Sequence, residues 1–523
     1  MTVHSVTRLP ISVLVLVLVT LIGGCSSLPS QEGRTMSIAL SETSAATTSL
    51  GRATVPLTEA NPGLSGIHPL HDPRDAFAAR IELARRAERT LDVQYYIWHN
   101  DITGSLLAGE LYAAAERGVR VRLLLDDTNT VGLDHTLATL NGHPNIEVRL
   151  FNPFTTRRFR LLGFATDFAH ANRRMHNKSF TADNSATIIG GRNIGDEYFA
   201  ATDDVQFADL DVLAIGPVVR DLSRDFDRYW DGQSSYPVER LLPEPEDGDG
   251  ERLQASIEKL RATPDAQQYQ LALDRSPLMQ QLRDHQLELV WAPTRMVSDD
   301  PSKGQGFAHR QDLLMNRLVR ALGKPESSIR LVSPYFVPTD TGTAMFRRLA
   351  ERGVDIEILT NALEATDVTA VHAGYAKHRE ALLEAGIRLF ELQRLPGDGR
   401  EGSASRRALP FSSSDSSLHA KTFSIDGNRV FVGSFNFDPR SAKLNTELGF
   451  LIESPDLAQR IDRLFENRIP ESAYEVMLDE NGDLYWIDRR GDEQVRYDSE
   501  PNTGFLKRTG VSIMSLLPID WML

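Results

Sequence analysis

His176-Asn177-Lys178, followed by Asp183 and Gly190-Gly191-Arg192-Asn193, returns downstream as His419-Ala420-Lys421, Asp426 and Gly433-Ser434-Phe435-Asn436. In both copies Lys follows His by two residues, Asp by seven, the first Gly by fourteen and Asn by seventeen. Four shared offsets mark an internal repeat, so the chain is expected to hold two copies of one folding unit. Side chains two apart share one face of a β-strand, which predicts that each His and Lys point the same way. Asp426-Gly427 is a hairpin signal between Lys421–Ile425 and Arg429–Gly433, and Asp183-Asn184 holds the corresponding place upstream. Each motif therefore reads as a strand, a tight two-residue turn and a returning strand. The return brings Gly and Asn beside His and Lys, a grouping suited to a tetrahedral anion such as a phosphodiester.

The elements around the motifs repeat as well. Upstream, a helix is expected near 75–89, a strand over Leu91–Trp98, a helix over about 104–117 stopped by Gly118, and strands over Val119–Leu125 and Ile146–Phe151. Downstream, Ile329–Tyr335 matches the first strand, Ala350-Glu351-Arg352-Gly353 echoes Ala115-Glu116-Arg117-Gly118, and strands follow over 354–359 and 387–390. Alternating strands and helices predict an α/β protein with a parallel-rich sheet in each half. The acidic run Pro243–Gly250 marks the boundary. Domain 1 is accordingly expected over 66–240, a linker over 241–275, domain 2 over 276–470, and a C-terminal hairpin with an apolar tail over 471–523. The hairpin should turn at Asn481-Gly482, and the tail, Val511–Leu523, is apolar enough either to pack on the core or to dip into a bilayer interface; packing is favoured.

Neither half can exchange a phosphodiester alone. The reaction needs a nucleophile, an acid for the departing alkoxide and positive groups on the phosphoryl oxygens, and one imidazole cannot be nucleophile and acid together. Two copies supply two imidazoles and two ammonium groups. A metal site is the rival reading, but a Lys within each motif would set an ammonium beside the cation, and no HExxH or Cys/His ligand spacing occurs. Asp183 and Asp426 sit at turns, where bracing the hairpin is favoured over proton transfer.

H-x-K-x4-D in two copies, each followed by G-[GS]-x-N, resembles the duplicated signature of the phospholipase D superfamily. Asp438–Gly449, Asn193–Phe199 and Ser515–Trp521 resemble, within it, the class C cardiolipin synthases, over roughly residues 66 to 523. The resemblance implies two tandem α/β/α-sandwich domains packed about a pseudo-two-fold axis. It implies a catalytic set of His176, Lys178, Asp183, His419, Lys421 and Asp426, with His176 as nucleophile and His419 as general acid and base; the residues alone do not order the two. Lys178, Lys421, Asn193, Asn436 and Ser434 would hold the phosphoryl oxygens. The first half has Gly191 where Ser is commoner, losing one hydroxyl. Glu447 stands where the family places a carboxylate that orients an imidazole; its counterpart in the first half is Asp209, with Asp211 as competitor. The implied reaction moves a phosphatidyl group from a donor phospholipid, phosphatidylethanolamine being one candidate, onto phosphatidylglycerol, with no cofactor or metal; hydrolysis is the alternative.

The net charge of −15, from 72 acidic and 57 basic side chains, disfavours a general nucleic-acid surface. Arg157, Arg158, Arg160, Arg173 and Arg174 crowd the approach to the first motif and read either as a solvated face or as a headgroup-attracting patch. At the N-terminus, Arg8, the apolar run Ile11–Ile22 and Gly23-Gly24-Cys25 predict a signal peptide over 1–24. Ile22-Gly23-Gly24-Cys25 resembles a bacterial lipobox, and Cys25 is the only cysteine, so a lipid anchor at Cys25 and a flexible tether over 25–65 are expected. Ser26 resembles the outer-membrane sorting pattern. The Ser-, Gly- and Arg-rich segment Pro396–Ser417, without apolar period, reads as a loop, either an active-site lid or a plain connection.

Overall fold

The computed structural model describes residues 28–155, 157, 160, 163–164, 167–202, 206–284, 286–394, 416–491 and 493–517. Cys25 and the predicted signal peptide lie outside them, as does nearly all of the loop read at Pro396–Ser417.

Each half is built on one mixed sheet. The first contains β1 (Ser65–Leu70), β2 (Thr90–Ile97), β3 (Arg120–Asn129), β4 (Ile146–Phe151), β5 (Ser179–Ala182), β6 (Ala186–Gly190), β8 (Asp211–Ile215), β9 (Ser235–Pro237) and β10 (Val290–Ala292), while β7 (Gln206–Ala208) stands apart. Their spatial order is β10-β1-β8-β6-β5-β2-β3-β4-β9. The second contains β11 (Thr294–Ser298), β12 (Ser328–Val332), β13 (Asp355–Asn361), β14 (Arg388–Leu392), β16 (Thr422–Ile425), β17 (Arg429–Gly433), β18 (Leu448–Ile452), β19 (Ala473–Leu478), β20 (Leu484–Arg490) and β21 (Glu493–Tyr497), with β15 (Ser416–Leu418) outside it. Its order, β11-β18-β17-β16-β12-β13-β14-β19-β20-β21, repeats the first from β1 to β9 strand for strand. Within the two large sheets, among the described residues, only β2-β3-β4 and β12-β13-β14 run parallel. The sheets are less parallel than alternation predicted, because the motif hairpins β5-β6 and β16-β17 enter them antiparallel to β2 and β12.

Helices cover both faces of each sheet. In the first half, alternate residues of β3 divide between the two layers: Leu123 and Leu125 pack with the helices Pro73–Arg86 and Ile102–Glu116, and Leu124 packs with Phe226 and Trp230 of the helix Pro217–Trp230. Asp101 caps Ile102–Glu116 through the Gly104 N–H, and Gly118, at φ 90°, lets the chain turn back into β3. Gly353, at φ 87°, does the same before β13.

Three expected boundaries shift. Residues 28–65 are not a slack tether: Ser37 O accepts from Arg122 (2.8 Å), Thr35 O from Arg149 (2.5 Å) and Ile38 O from Arg120 (2.6 Å), and helices follow over Glu42–Ala45 and Ser49–Ala60. Strand guanidinium groups hold this segment down with donors beyond those that Arg122 gives to Asp92 and Arg149 gives to Glu147. The linker of 241–275 is helical over Asp249–Arg261 and Pro264–Asp274, and these helices, with Pro277–Arg283, pack on the first half. Because β10 then pairs with β1, and β11 with β18, the crossing between halves falls at Pro293 rather than at 276. Finally, β19 pairs with β14, so the C-terminal hairpin, turning through Asp479–Asp483 and continued by β21, extends the second sheet.

Candidate active site

The two motifs meet where the halves touch. His176 and Lys178 lie just ahead of β5, and His419 and Lys421 just ahead of β16, rather than within the strands. The reason is that their backbone bonds to the other half: His176 N–H donates to Thr446 O (2.9 Å), and His419 N–H to Ala208 O (2.7 Å). Met175 bridges Thr446, and Leu418, in β15, pairs with Ala208, in β7. The residue before each His thus faces the residue before each orienting carboxylate, which is the pseudo-two-fold relation in backbone form. The turns are one residue longer than expected, since Ala182 pairs with Ala186 and Ile425 with Arg429.

The carboxylates are exchanged between halves. His176 Nδ1 lies 2.9 Å from Glu447 Oε2, and His419 Nδ1 lies 2.6 Å from Asp209 Oδ2. Asp209 rather than Asp211 is therefore the first-half counterpart, but each carboxylate orients the histidine of the opposite half. Asp211 instead pairs with Arg80 at 2.8 Å. Gly191 follows from Asp209: a Cβ at residue 191 would sit 2.1 Å from Asp209 Oδ1. In the second half the longer Glu447 leaves room for Ser434, whose hydroxyl donates to Glu447 Oε2 and accepts from Leu448 N–H (3.1 Å). Ser434 is thus committed to the carboxylate, not free for a phosphoryl oxygen as expected.

The remaining predicted residues divide. Lys178 Nζ donates to His176 O (2.6 Å) and Lys421 Nζ to His419 O, leaving two N–H donors on each ammonium among the described residues. Asn193 accepts from Ile97 N–H (3.2 Å) and donates to the Tyr198 hydroxyl (3.0 Å), whereas Asn436 Oδ1 is buried and unpartnered among the described residues. Asp183 accepts from the N–H groups of Glu88, Arg89 and Thr90, and Asp426 from those of Glu326, Ser327 and Ser328. Both therefore fasten the start of the neighbouring strand, β2 or β12, and neither contacts an imidazole. The arginine patch is largely spent inside: Arg157 and Arg160 pair with Asp127, and Arg174 lies 3.5 Å from Asp126.

Burial sets the protonation, and it does so unequally. Desolvation, reinforced by Lys178 and Lys421, holds His176 well below the usual imidazole range. Burial pushes the Glu447 carboxyl up to about 7 against the pull of Lys178 and Ser434. Asp209 goes the other way: despite burial, His419 and Lys421 hold it at about 2. His419 is lowered by burial and by Lys421, but an ionised Asp209 opposes that shift. Burial also brings Lys421 down to about 8. The aromatic walls were not foreseen from the sequence: Tyr96 meets the His176 ring edge-on at 4.9 Å, and Tyr198 and Phe207 lie 5.4 and 5.1 Å from the His419 ring. Tyr96, near the C-terminal end of a parallel strand, was the findable one, because such ends collect ligand-binding groups.

The profile of a family described as "Cardiolipin synthase, PLD-like domain" matches residues 81–230 and 318–469. The chain belongs to that cardiolipin synthase family. It is 51% identical to cardiolipin synthase C of Escherichia coli K12 over 476 residues, 91% of this chain and 99% of that protein. An uncharacterized protein of Helicobacter pylori 26695 is 30% identical across 90% of this chain and 92% of its own length. Among solved structures, phosphatidylserine synthase of Haemophilus influenzae Rd KW20 has the same fold, with a TM-score of 0.53 at 14% identity over 90% of this chain and all of that one. The two motifs fall one in each of the matched stretches, residues 81–230 and 318–469.

Proposed function

We propose that this protein makes cardiolipin by transferring a phosphatidyl group from a donor phospholipid to phosphatidylglycerol through a phosphohistidine on His176. The observation that carries the assignment is the unequal pair of carboxylates. A neutral imidazole is the better nucleophile; burial lowers both histidines, but His176, beside a carboxyl raised to about 7, is held well below the usual imidazole range. His419, beside a carboxylate held at about 2, is the one whose protonated form is supported.

His176 Nε2 attacks phosphorus as the bond to the donor's headgroup oxygen breaks, and His419 gives that oxygen its proton. The headgroup alcohol leaves, and the phosphatidyl group stays on His176. His419, now neutral, takes the proton of the terminal glycerol hydroxyl of phosphatidylglycerol. That oxygen attacks phosphorus, the P–N bond breaks, and cardiolipin is released with His176 neutral and His419 protonated again. The free donors of Lys178 and Lys421 fit the phosphoryl oxygens, whose charge grows in both transition states.

A lipid anchor at Cys25 would hold the enzyme at its substrate, on a bacterial envelope membrane facing the periplasm or exterior. The apolar run before this sole cysteine supports that placement; among the described residues no helix is long and apolar enough to cross a membrane.

The test uses vesicles of labelled phosphatidylglycerol and phosphatidylethanolamine with chelator present, read by lipid mass spectrometry. Cardiolipin is expected, and it is lost in His176→Ala and in His419→Ala. Phosphatidic acid without cardiolipin would replace transfer by hydrolysis, and no product from either lipid would overturn the assignment.

A further inference from the structure

The last helix among the described residues, Phe505–Ser515, packs on the rest of them by one face. Val511 is buried against Leu363 and Ala373, with Met514 beside them, and Lys507 Nζ donates to Leu363 O (2.6 Å). The other face is apolar and open: Phe505 is 72% exposed, Leu506 85% and Ile513 59%, and Leu516 and Leu517, just past the helix, are 85% and 47% exposed. Leu506, Ile513 and Leu516 or Leu517 follow one another at helical spacing, so these side chains form a stripe. Soluble surfaces rarely leave such a stripe to water.

Its position ties it to the site. Asn361, at the end of β13, binds both backbone groups of Leu418, the residue before His419, at 2.9 and 3.0 Å. Two residues further on, Leu363 receives Lys507 and packs on Val511. The helix therefore stands on the same rim of the second sheet as His419. Its charges point to the occupant. Lys507 and Arg508 are the only charged residues between Phe505 and Ser515, in a chain of net charge −15. In a symmetric pair of chains this helix would face its own two cations, whereas an anionic phospholipid surface offers them opposite charge beside an apolar layer for the stripe.

We propose that residues 505–517 form a bilayer-docking helix that seats the mouth of the site on an anionic phospholipid surface. The inference rests on the phospholipid reading of the site for its purpose, but its test reads membrane depth and not turnover. Ile513→Cys and, separately, Leu506→Cys in the full chain carry an environment-sensitive fluorophore, with Val319→Cys as an exposed control and the unsubstituted chain as the blank for Cys25. On vesicles of phosphatidylglycerol and phosphatidylethanolamine, both helix labels should shift to the blue and lose at least half their emission to lipids spin-labelled high on the acyl chain, while the Val319→Cys label is unmoved. Helix labels no more quenched than the control, or a blue shift without lipid that grows with protein concentration, would overturn the proposal; the second outcome would mark self-association. Leu506→Glu with Ile513→Glu should slow cardiolipin formation about tenfold on vesicles and little in mixed detergent micelles. If the parent chain makes no cardiolipin while both labels are quenched, the docking helix stands and the reaction assigned above falls.

Discussion

Glu447 and His176 are joined side chain to side chain at 2.9 Å across the seam, although 271 residues of chain separate them. Each imidazole is thus oriented by a carboxylate from the other half, and the two carboxylates differ in how readily they ionise. Asp209→Asn should therefore change the pH profile as well as the rate. Asp209 opposes the fall in the His419 pKa that burial and Lys421 impose, so removing its charge lowers that pKa further and leaves less imidazolium at pH 7. The expected result is a loss of about 10- to 100-fold at neutral pH, with the descending limb of initial rate moved to lower pH. Glu447→Gln should lower the rate with a smaller displacement of that limb.

The order of the two histidines can be read by trapping. His419→Ala keeps the nucleophile but not the proton donor, so with a donor lipid whose leaving group needs no protonation it should accumulate phosphatidyl-His176, seen by peptide mass spectrometry at alkaline pH. His176→Ala should show no adduct. An adduct on His419 in the second variant and none in the first would reverse the roles.

Gly191→Ser tests why the halves differ at one place. It would make the first motif resemble the second, yet its Cβ would lie 2.1 Å from Asp209 Oδ1. Asp209 must move, and His419 loses its partner. We expect a rate loss as large as that of Asp209→Asn, with a similar shift in pH profile and little change in thermal stability. Unchanged activity would show that Asp209 can be re-seated without cost.

Asp183 should matter to stability and not to chemistry. It accepts from three backbone N–H groups at 2.8–3.0 Å. Asp183→Ala strips these donors of their acceptor and is expected to cost about 3 kcal/mol of unfolding free energy, measured by denaturant titration. The folded fraction should keep a turnover within about twofold of the parent, since such a cost in stability need not touch the transition state. Asp183→Asn, which keeps one acceptor oxygen, should fall between.

The repeat was legible because it is written in local terms. Offsets of two, seven, fourteen and seventeen encode a hairpin, and a Gly after Ala-Glu-Arg encodes a helix stop, so the motifs and the repeated run of strands and helices could be read from them, but not the antiparallel entry of the hairpins into the sheets. The exchange of carboxylates was not legible, because Glu447 and Asp209 have the same local surroundings whichever imidazole they face. Ser434 and Gly191 did carry a trace of it: a hydroxyl where the carboxylate is long, and no side chain where it is short. The helices of 249–283 and the ordered course of 28–65 were missed for a different reason. They are polar or small-residue segments whose order comes from partners elsewhere, such as Arg122 and Arg149, and not from a period of their own.

Pro293 is the whole of the chain between a strand of one sheet and a strand of the other. A leash of one residue holds each half at a local concentration of its mate far above the millimolar values that flexible linkers give. Tethering thus adds to an apolar contact that the two halves already share, in which Ile189, Val212 and Leu222 cluster with Val332, Val432 and Phe450. Beside that layer the seam buries two imidazoles, two lysine amines and two carboxylates, held in one fixed register by the short connection.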